Sequence, residues 1–304
     1  MVLQVLVQVL TALIIYFWIG PAERKHWDWL RAGIAVSLTF IAPIMLLVLR
    51  DGFFYYGYIG LANYHNPTIH LLKPFALLSF IFAVRSISGQ KSTWKQVALA
   101  AALIILAAWT KPNYALSILP ALGLIALLRM FQRKPLDWKL LLGGFFIPGV
   151  VTLLIQWLIA FDANNPGGSI LLAPFQVEGA YSDYLLVKFF LSTLLPISVL
   201  LIARSQVMKD EHLLLGWVGF LVGAAQFYLL AEGGDRMEHA NFRWSAQIML
   251  FLLFVVSVRW FLQEKLARGP VRWIEKAAAY AAYLAHLAGG VAYYIYCLIS
   301  IHYR

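Results

Sequence analysis

Chemically versatile side chains gather at three places in this chain, and long apolar stretches separate them. In chain order, the clusters are Asp51 with His65, Asn66 and Lys73; Lys111 in the turn TKPN; and the segment EGGDRMEHANFR from Glu232 to Arg243. Carboxylates, imidazoles, amides and cations of this kind can move protons and hold hydroxyl groups or phosphate. They are the residue types that a reaction on a sugar or a phosphate ester requires.

In the first cluster, the order Asn66-Pro67 predicts the start of a helix, because Asn is a favoured N-cap and Pro a favoured first helical residue. A helix N-terminus with His65 and Asn66 beside it can bind an anion. Lys73 then lies about two turns inside the membrane, where an ionisable residue indicates a functional site. The alternative is that Asn66 only caps the helix, and that Asp51 pairs with the arginine before it.

The second cluster is a single cation in a tight turn. Lys111 precedes Pro112 and follows a short apolar stretch. A lysine is a compact point charge that suits a phosphate group. The alternative is that Lys111 extends to the phosphates of the lipid headgroups.

The third cluster is the densest. Its polar and ionisable side chains are Glu232, Asp235, Arg236, Glu238, His239, Asn241 and Arg243. Carboxylates beside Arg, His and Asn can hold sugar hydroxyls and an anion together, which predicts a polar substrate pocket. A solvated loop with local ion pairs is the alternative. The spacing matches no metal-binding motif and Cys297 is the only cysteine, so we predict no protein-bound metal and find no support for a divalent cation.

The elements that position these clusters must lie in a membrane. The 304 residues are 62% hydrophobic and only 12% charged, with a mean hydropathy of +0.76. Soluble domains are about 45–50% apolar and about 25% charged. Disordered chains need low hydrophobicity. The composition therefore predicts an all-α, polytopic bundle that forms a single transmembrane domain over residues 1–304.

Ten stretches have the length and apolar character of spans, since about 20 apolar residues cross the hydrocarbon core. The predicted spans are approximately 2–20, 31–49, 68–84, 96–110, 113–130, 139–161, 184–203, 212–231, 244–263 and 278–301. The break between the fourth and fifth spans rests on the turn TKPN, which contains a proline and a charge.

The charged residues predict an orientation. Seventeen of the 24 Lys and Arg fall in one set of alternating loops, whereas the 14 Asp and Glu are divided equally between the two faces. The positive-inside rule makes the basic loops cytoplasmic and puts both termini outside, in the plasma (inner) membrane. Anionic membrane lipids account for the net charge of +10, so no nucleic-acid partner is expected. All three clusters then belong to the outer face.

Many spans with chemistry on the outer face resemble the GT-C superfamily of polytopic membrane glycosyltransferases. The resemblance also lies in HNPT, residues 65–68, leading into a helix with Lys73-Pro74, and in the Thr110-Lys111-Pro112 turn after a short span. It implies a GT-C-like bundle that transfers a sugar from a polyprenyl-phosphate donor to a glycan or lipid-linked acceptor on the extracytoplasmic face. The chain departs from the family pattern by lacking the usual first span and first outer loop, which carries the catalytic carboxylate.

The resemblance assigns roles to the clusters. Asp51 is the general base that deprotonates an acceptor hydroxyl, and Lys111 and Arg236 stabilise the departing lipid phosphate. The remaining substrate-binding residues are His65, Asn66, Lys73, Glu232, Asp235, Glu238, His239, Asn241 and Arg243. Two other classes stay open, a flippase-like transporter of lipid or glycolipid and a non-catalytic membrane scaffold.

A shared active site requires the three clusters to converge. We predict one outward-open cavity that is lined by Asp51, His65, Lys111, Arg236 and His239, with Lys73 at its floor and with walls from Phe53, Tyr55, Tyr56 and Tyr58. Lys73 favours this arrangement, because a lysine in the lipid-facing centre of a helix costs about 2.5–3.5 kcal/mol.

Overall fold

The structure, a computed structural model, is nearly all-α, which confirms the predicted class. It describes residues 2–20, 28–53, 55–60, 66–160, 169–266 and 272–302, with only the backbone at 235, 264–266 and 301–302. The helices are α1 (Val2–Ile19), α2 (Asp28–Phe40), α3 (Val48–Asp51), α4 (Pro67–Ile87), α5 (Trp94–Thr110), α6 (Asn113–Phe131), α7 (Trp138–Leu140), α8 (Ile147–Ala160), α9 (Gln176–Gly179), α10 (Leu185–Ala203), α11 (Glu211–Leu229), α12 (Arg243–Trp260) and α13 (Trp273–His302).

Shorter elements join these helices. The π-helical segments are Leu141–Phe146 and Phe261–Leu266, the 3-10 helices are Arg204–Met208 and Gly234–His239, and the strands are β1 (Ile170–Leu172) and β2 (Leu230–Glu232). The first π segment joins α7 and α8 without a break, so that Trp138–Ala160 is one long helical segment.

Within the part of the chain that is described, seven helical segments are long and apolar enough to cross a membrane. They are Pro67–Ile87, Asn113–Phe131, Trp138–Ala160, Leu185–Met208, Glu211–Leu229, Arg236–Gln263 and Trp273–Ser300. Two further apolar helices, Leu3–Ile19 and Trp94–Thr110, are shorter. The seven segments support a membrane protein, and the count of ten spans stays a prediction.

The chain divides into two compact units. Unit 1 comprises Met1–His70, Glu178–Lys209 and Leu250–Arg304, and unit 2 comprises Leu71–Val177 and Asp210–Met249. In unit 1, α1 packs on α2, α2 on α13, and α13 on α10. In unit 2, α5 packs on α8, and α6 packs on α11. The single domain over the whole chain stays a prediction.

The predicted span 31–49 is not one helix, which corrects the sequence analysis. α2 ends at Phe40, residues 41–45 are non-helical, and α3 begins at Val48. Pro43 provides the physical reason, because proline has no N–H and disfavours helical backbone at the residue before it. We call residues 41–45 the strap.

Backbone groups of the strap pair with α10 and α13 inside unit 1. The Ala42 N–H donates to the His286 carbonyl (3.3 Å), and the Ile44 N–H donates to the Leu191 carbonyl (3.0 Å). His286 Nδ1 lies 2.8 Å from the Ala42 carbonyl oxygen, and its Nε2 accepts from the Leu195 N–H at 3.4 Å. Because a carbonyl can only accept, Nδ1 of His286 carries a proton. Because Nε2 accepts a hydrogen bond, it carries none, and the imidazole is neutral. Such pairing satisfies backbone groups that have no partner within a helix.

Two glycines let α13 approach the strap closely. A Cβ added at Gly289 would collide with the Pro43 carbonyl oxygen, and one added at Gly290 would collide with the Phe40 carbonyl oxygen. Both obstacles are backbone atoms, which have no rotamer by which to move away. The contact between α13 and the strap therefore requires glycine at both positions.

Candidate functional site

Unit 2 contains an open amphipathic cavity of about 600 Å³. Its polar lining includes Lys111, Asn113, Gln156, Glu232 and Asn241, and its apolar wall includes Val150, Leu153, Leu154 and Trp157 from α8. The wall residues Val150, Leu154 and Trp157 are also exposed on the surface of α8. The cavity therefore joins hydrogen-bonding groups and a cation to a surface that suits an acyl or prenyl chain.

The predicted turn positions Lys111. α5 ends at Thr110, and Lys111 has extended backbone with its N–H donating to the Ala107 carbonyl (2.9 Å). The Lys111 ammonium lies over the Trp244 ring, 4.3 Å from its centroid. Burial lowers the pKa of Lys111 to about 8. The side chain is therefore a cation at neutral pH that loses its charge at mildly alkaline pH.

A chain of amide hydrogen bonds fixes the opposite polar groups. Buried Asn113 donates through Nδ2 to the Asn241 carbonyl (2.8 Å) and to Ser245 Oγ (3.0 Å). Asn241 Nδ2 donates in turn to Glu232 Oε2 (2.7 Å). Glu232 ends β2, where it is paired with Ile170 of β1. The carboxylate is thus held both by the strand pair and by Asn241.

Gln156 leaves one polar atom of the cavity lining without a partner. Its Nε2 donates to the Ala108 carbonyl (2.8 Å), and its buried Oε1 accepts no hydrogen bond among the described residues. Buried polar atoms are nearly always paired, so an orphan calls for an explanation. A hydroxyl donor on a bound ligand would provide the missing partner.

Asp51 lies in unit 1, in a network with a fully buried lysine. Its Oδ2 pairs with Lys188 Nζ (2.5 Å) and accepts from Ser182 Oγ (2.9 Å), while Oδ1 accepts from the Phe53 N–H (3.2 Å). Lys188 Nζ also donates to the Tyr56 carbonyl (2.8 Å) and lies over the Tyr58 ring at 4.7 Å. Lys188, which lies within the predicted span 184–203, is therefore the partner of the predicted base.

This network affects the proton affinity of Asp51. Burial by itself raises the pKa of the carboxyl, but the hydrogen bonds from Lys188 and Ser182 outweigh burial and lower it below its ordinary value. A general base near neutral pH needs a raised pKa and a free lone pair. The contacts of Asp51 are those of a structural carboxylate, and its role as the base stays a prediction.

The other residues of the first cluster are placed as follows. α4 begins at Pro67, as predicted, and Asn66 Oδ1 accepts from the Thr68 hydroxyl (2.6 Å). Lys73 is buried on α4. His65 lies outside the described residues.

Only part of the third cluster reaches the cavity of unit 2. Glu232 and Asn241 line it, whereas Arg236, Glu238 and His239, on the 3-10 helix that follows β2, do not. Arg243 is buried at the start of α12, and the Asp235 side chain is not described. No group of three or more His, Cys, Asp or Glu among the described residues is arranged to hold a metal ion.

Sequence reasoning missed several residues of both sites. Gln156 and Asn113 contribute to the unit 2 cavity, and Glu178 and Ser182 belong to the surroundings of Asp51. The available signal was a polar residue at the edge of, or inside, an apolar stretch. Convergence of Asp51 with Lys111 and Arg236 stays a prediction, because Asp51 belongs to unit 1 and the two cations belong to unit 2.

Comparisons with known proteins assign no function to this chain, so the proposed function rests on the geometry of the structure. A scan against protein-family models and searches of curated proteins and of solved structures found no match to this chain. What can be concluded from the fold is a helical protein with seven segments able to span a membrane and a cation-bearing amphipathic cavity.

Proposed function

We propose that this protein is a GT-C-like membrane glycosyltransferase that uses a polyprenyl-phosphate sugar. The donor binds in the cavity of unit 2, and the sugar passes to a glycan or lipid-linked acceptor. The support comes from one observation, the presence of a cation, hydrogen-bonding groups and an exposed apolar wall in a single cavity of about 600 Å³. A lipid-linked sugar phosphate has the same three chemical parts.

Each part of the donor has a counterpart in the cavity. Lys111 faces the phosphate and stabilises the negative charge that develops as the lipid phosphate departs. Glu232, Asn241 and Gln156 bind sugar hydroxyls, and the α8 wall takes the prenyl chain. In the reaction, the acceptor oxygen bonds to the anomeric carbon, the bond from that carbon to the phosphate oxygen breaks, and the acceptor proton passes to a base.

Two carboxylates are candidates for that base. Asp51 is the residue that the family resemblance indicates, although both of its oxygens already accept hydrogen bonds. Glu232 is the second candidate, because it lines the same cavity as Lys111 and only its Oε2 accepts a hydrogen bond from a described residue. Glu232→Gln and Asp51→Asn separate the two, since each removes the base and keeps the shape of the side chain.

We expect purified protein to transfer sugar from a polyprenyl-phosphate donor, and Lys111→Ala to abolish donor binding. Because phosphate binding needs the ammonium form and the Lys111 pKa is about 8, donor affinity should fall about tenfold between pH 7 and pH 9. Lys111→Arg keeps its charge across this range and should remove the pH dependence. Scintillation counting of a radiolabelled donor measures donor binding, and chromatography of the product measures sugar transfer.

The results divide the proposal into parts. Donor binding without transfer would leave a binding protein and overturn the enzyme assignment. Donor affinity that is unchanged in Lys111→Ala would overturn the phosphate site. Loss of transfer in Asp51→Asn with donor binding intact would make Asp51 the base, whereas the same loss in Glu232→Gln would assign the base to Glu232.

The proposed reaction side is extracytoplasmic, with the protein in the plasma (inner) membrane, basic loops in the cytoplasm and both termini outside. Ser88 and Ser169 belong to loops that this orientation places on opposite sides. Cysteines introduced at these two positions in a Cys297→Ser background should react with a membrane-impermeant maleimide from opposite sides of sealed vesicles. Labelling of both from one side contradicts the orientation.

One structural feature favours a lipid or glycolipid transporter as the second candidate. Helices that are interrupted at membrane depth are typical of transporters, and the strap interrupts what would otherwise be one span. Reconstituted protein that moves a fluorescent lipid-linked sugar between leaflets, without hydrolysis or transfer, would support the transporter over the enzyme.

A further inference from the structure

We propose that unit 1 contains a carbohydrate-binding site of its own, built around Arg50, Tyr181 and Asp183. The site is an open cavity of about 830 Å³, and Ser182, Tyr184 and Asp51 also line it. Small-molecule sites have volumes of about 300–1,000 Å³. This binding does not rest on the proposed function.

The cavity offers an unused donor set and an unused acceptor. Arg50 donates through Nε to the Tyr184 hydroxyl (2.8 Å), and its two Nη groups donate to no described residue. Asp183 is exposed and forms no ion pair or hydrogen bond with the described residues. A guanidinium and a carboxylate that both face one cavity can grip neighbouring hydroxyls of a sugar, one as donor and the other as acceptor.

One aromatic ring and two exposed leucines form the apolar part of the cavity lining. The Tyr181 ring stacks on Tyr56 at 4.1 Å with an interplanar angle of 16°, and it also meets Phe53 edge to face. Leu46 and Leu49 lie at the same cavity and are exposed. A sugar ring has an apolar C–H face and a polar rim of hydroxyls, and this lining offers a counterpart to each.

Buried charges make the cavity wall rigid. Fully buried Lys188 holds Asp51, and Ser182 links Asp51 to the Tyr184 N–H through its hydroxyl (3.2 Å). Buried Glu178, which lies in α9, accepts a hydrogen bond from the Gly57 N–H (2.9 Å). This bond connects α9 to the loop after α3. Side chains held in this way need little reordering on binding, which lowers the entropic cost of binding a ligand.

The charges also decide between classes of ligand. Arg50 and Lys188 balance Asp51 and Asp183 in charge, and Lys188 already pairs with Asp51, so the cavity has no excess charge to favour a phosphate or a cation. A neutral polyhydroxyl ring needs no such excess. The sugar can come from a soluble glycan or from the glycan part of a lipid-linked molecule, and these two sources share the same recognition chemistry.

The test is direct binding to the full chain in detergent. The probes are the methyl glycosides of glucose, galactose, mannose and N-acetylglucosamine, followed by saturation-transfer difference NMR. In a second arm, the same four sugars are presented as lipid-linked phosphates in nanodiscs that contain the Lys111→Ala protein, in which the cavity of unit 2 should no longer bind them. We expect saturable binding of at least one sugar, weakened at least about tenfold in Tyr181→Ala and in Asp183→Ala. The surface control Tyr280→Ala should bind as the wild type does.

Each outcome supports or overturns the proposed carbohydrate site of unit 1. Saturable binding that is lost in both alanine variants supports the site, and binding in the second arm alone identifies a lipid-linked sugar as the ligand. Because exposed Asp183 makes no contact that maintains the fold, its variant remains informative even if Tyr181→Ala unfolds. Failure of all eight probes to bind overturns the proposal, as does binding that persists unchanged in Asp183→Ala. Donor transfer that depends on Lys111 would survive either result, so the two proposals can fail separately.

Discussion

Gly290→Ala is expected to destabilise unit 1 strongly. The new Cβ would collide with the Phe40 carbonyl oxygen and press on the strap. Overpacking costs typically about 1–3 kcal/mol, and each buried backbone group that loses its partner, such as those of Ala42, costs a further ~1–3 kcal/mol. We expect the thermal midpoint to fall by about 5–10 °C, as measured by tryptophan fluorescence in detergent.

Gly33→Ala is the matched control for this substitution. Gly33 also lies in a helix of unit 1, and a Cβ added there meets no atom within 4 Å. Alanine has a higher helix propensity than glycine by up to about 1 kcal/mol, so the control should leave the midpoint unchanged or raise it slightly. Equal midpoints for the two variants would show that α13 does not hold the strap as described.

Lys188→Met is the second substitution with a large expected effect. It removes the cation that pairs with Asp51 and that donates to the Tyr56 carbonyl. Breaking a buried ion pair on one side costs about 3–5 kcal/mol, because the remaining charge stays behind without its partner. The double variant Lys188→Met with Asp51→Asn should recover part of the loss, and the control Lys209→Met, at an exposed position, should change the midpoint little.

The same pair predicts a dependence of stability on pH. The Asp51 pKa is lower in the folded protein than in the unfolded chain. Its contribution to stability is therefore present above the unfolded pKa, near 4, and is lost as pH falls through the folded value. Acid titration of the thermal midpoint should show this loss in the wild type and not in Asp51→Asn. Additive effects of the Lys188 and Asp51 substitutions would contradict the pairing.

The sequence could predict what is local. The composition gave the membrane class, the TKPN turn gave the break before α6, and Asn66-Pro67 gave the start of α4. Lys111, Glu232 and Asn241 were predicted in two separate clusters of substrate-binding residues, and the structure brings these three to one cavity. Such features depend on neighbouring residues and on hydropathy, which a single chain displays directly.

What the sequence could not predict depends on distant partners. Pro43 was visible, but whether it kinks or ends a helix depends on whether other groups can pair with the freed backbone, and His286 lies more than 200 residues away. Asp51 was identified from the sequence, but no signal in the sequence joins it to Lys188. The 3-10 turn that takes Arg236 and His239 out of the lining of the cavity follows from backbone geometry that no spacing rule describes.

The strap also determines the order in which parts of the protein can fold during synthesis. The imidazole and carbonyl that pair with Ala42 belong to His286, more than 200 residues later in the chain. While a ribosome translates the two hundred or so residues between them, the backbone groups of Ala42 must find water, translocon surface or a chaperone as a temporary partner. Unit 1 is consequently completed last, although its first helices are the first to emerge.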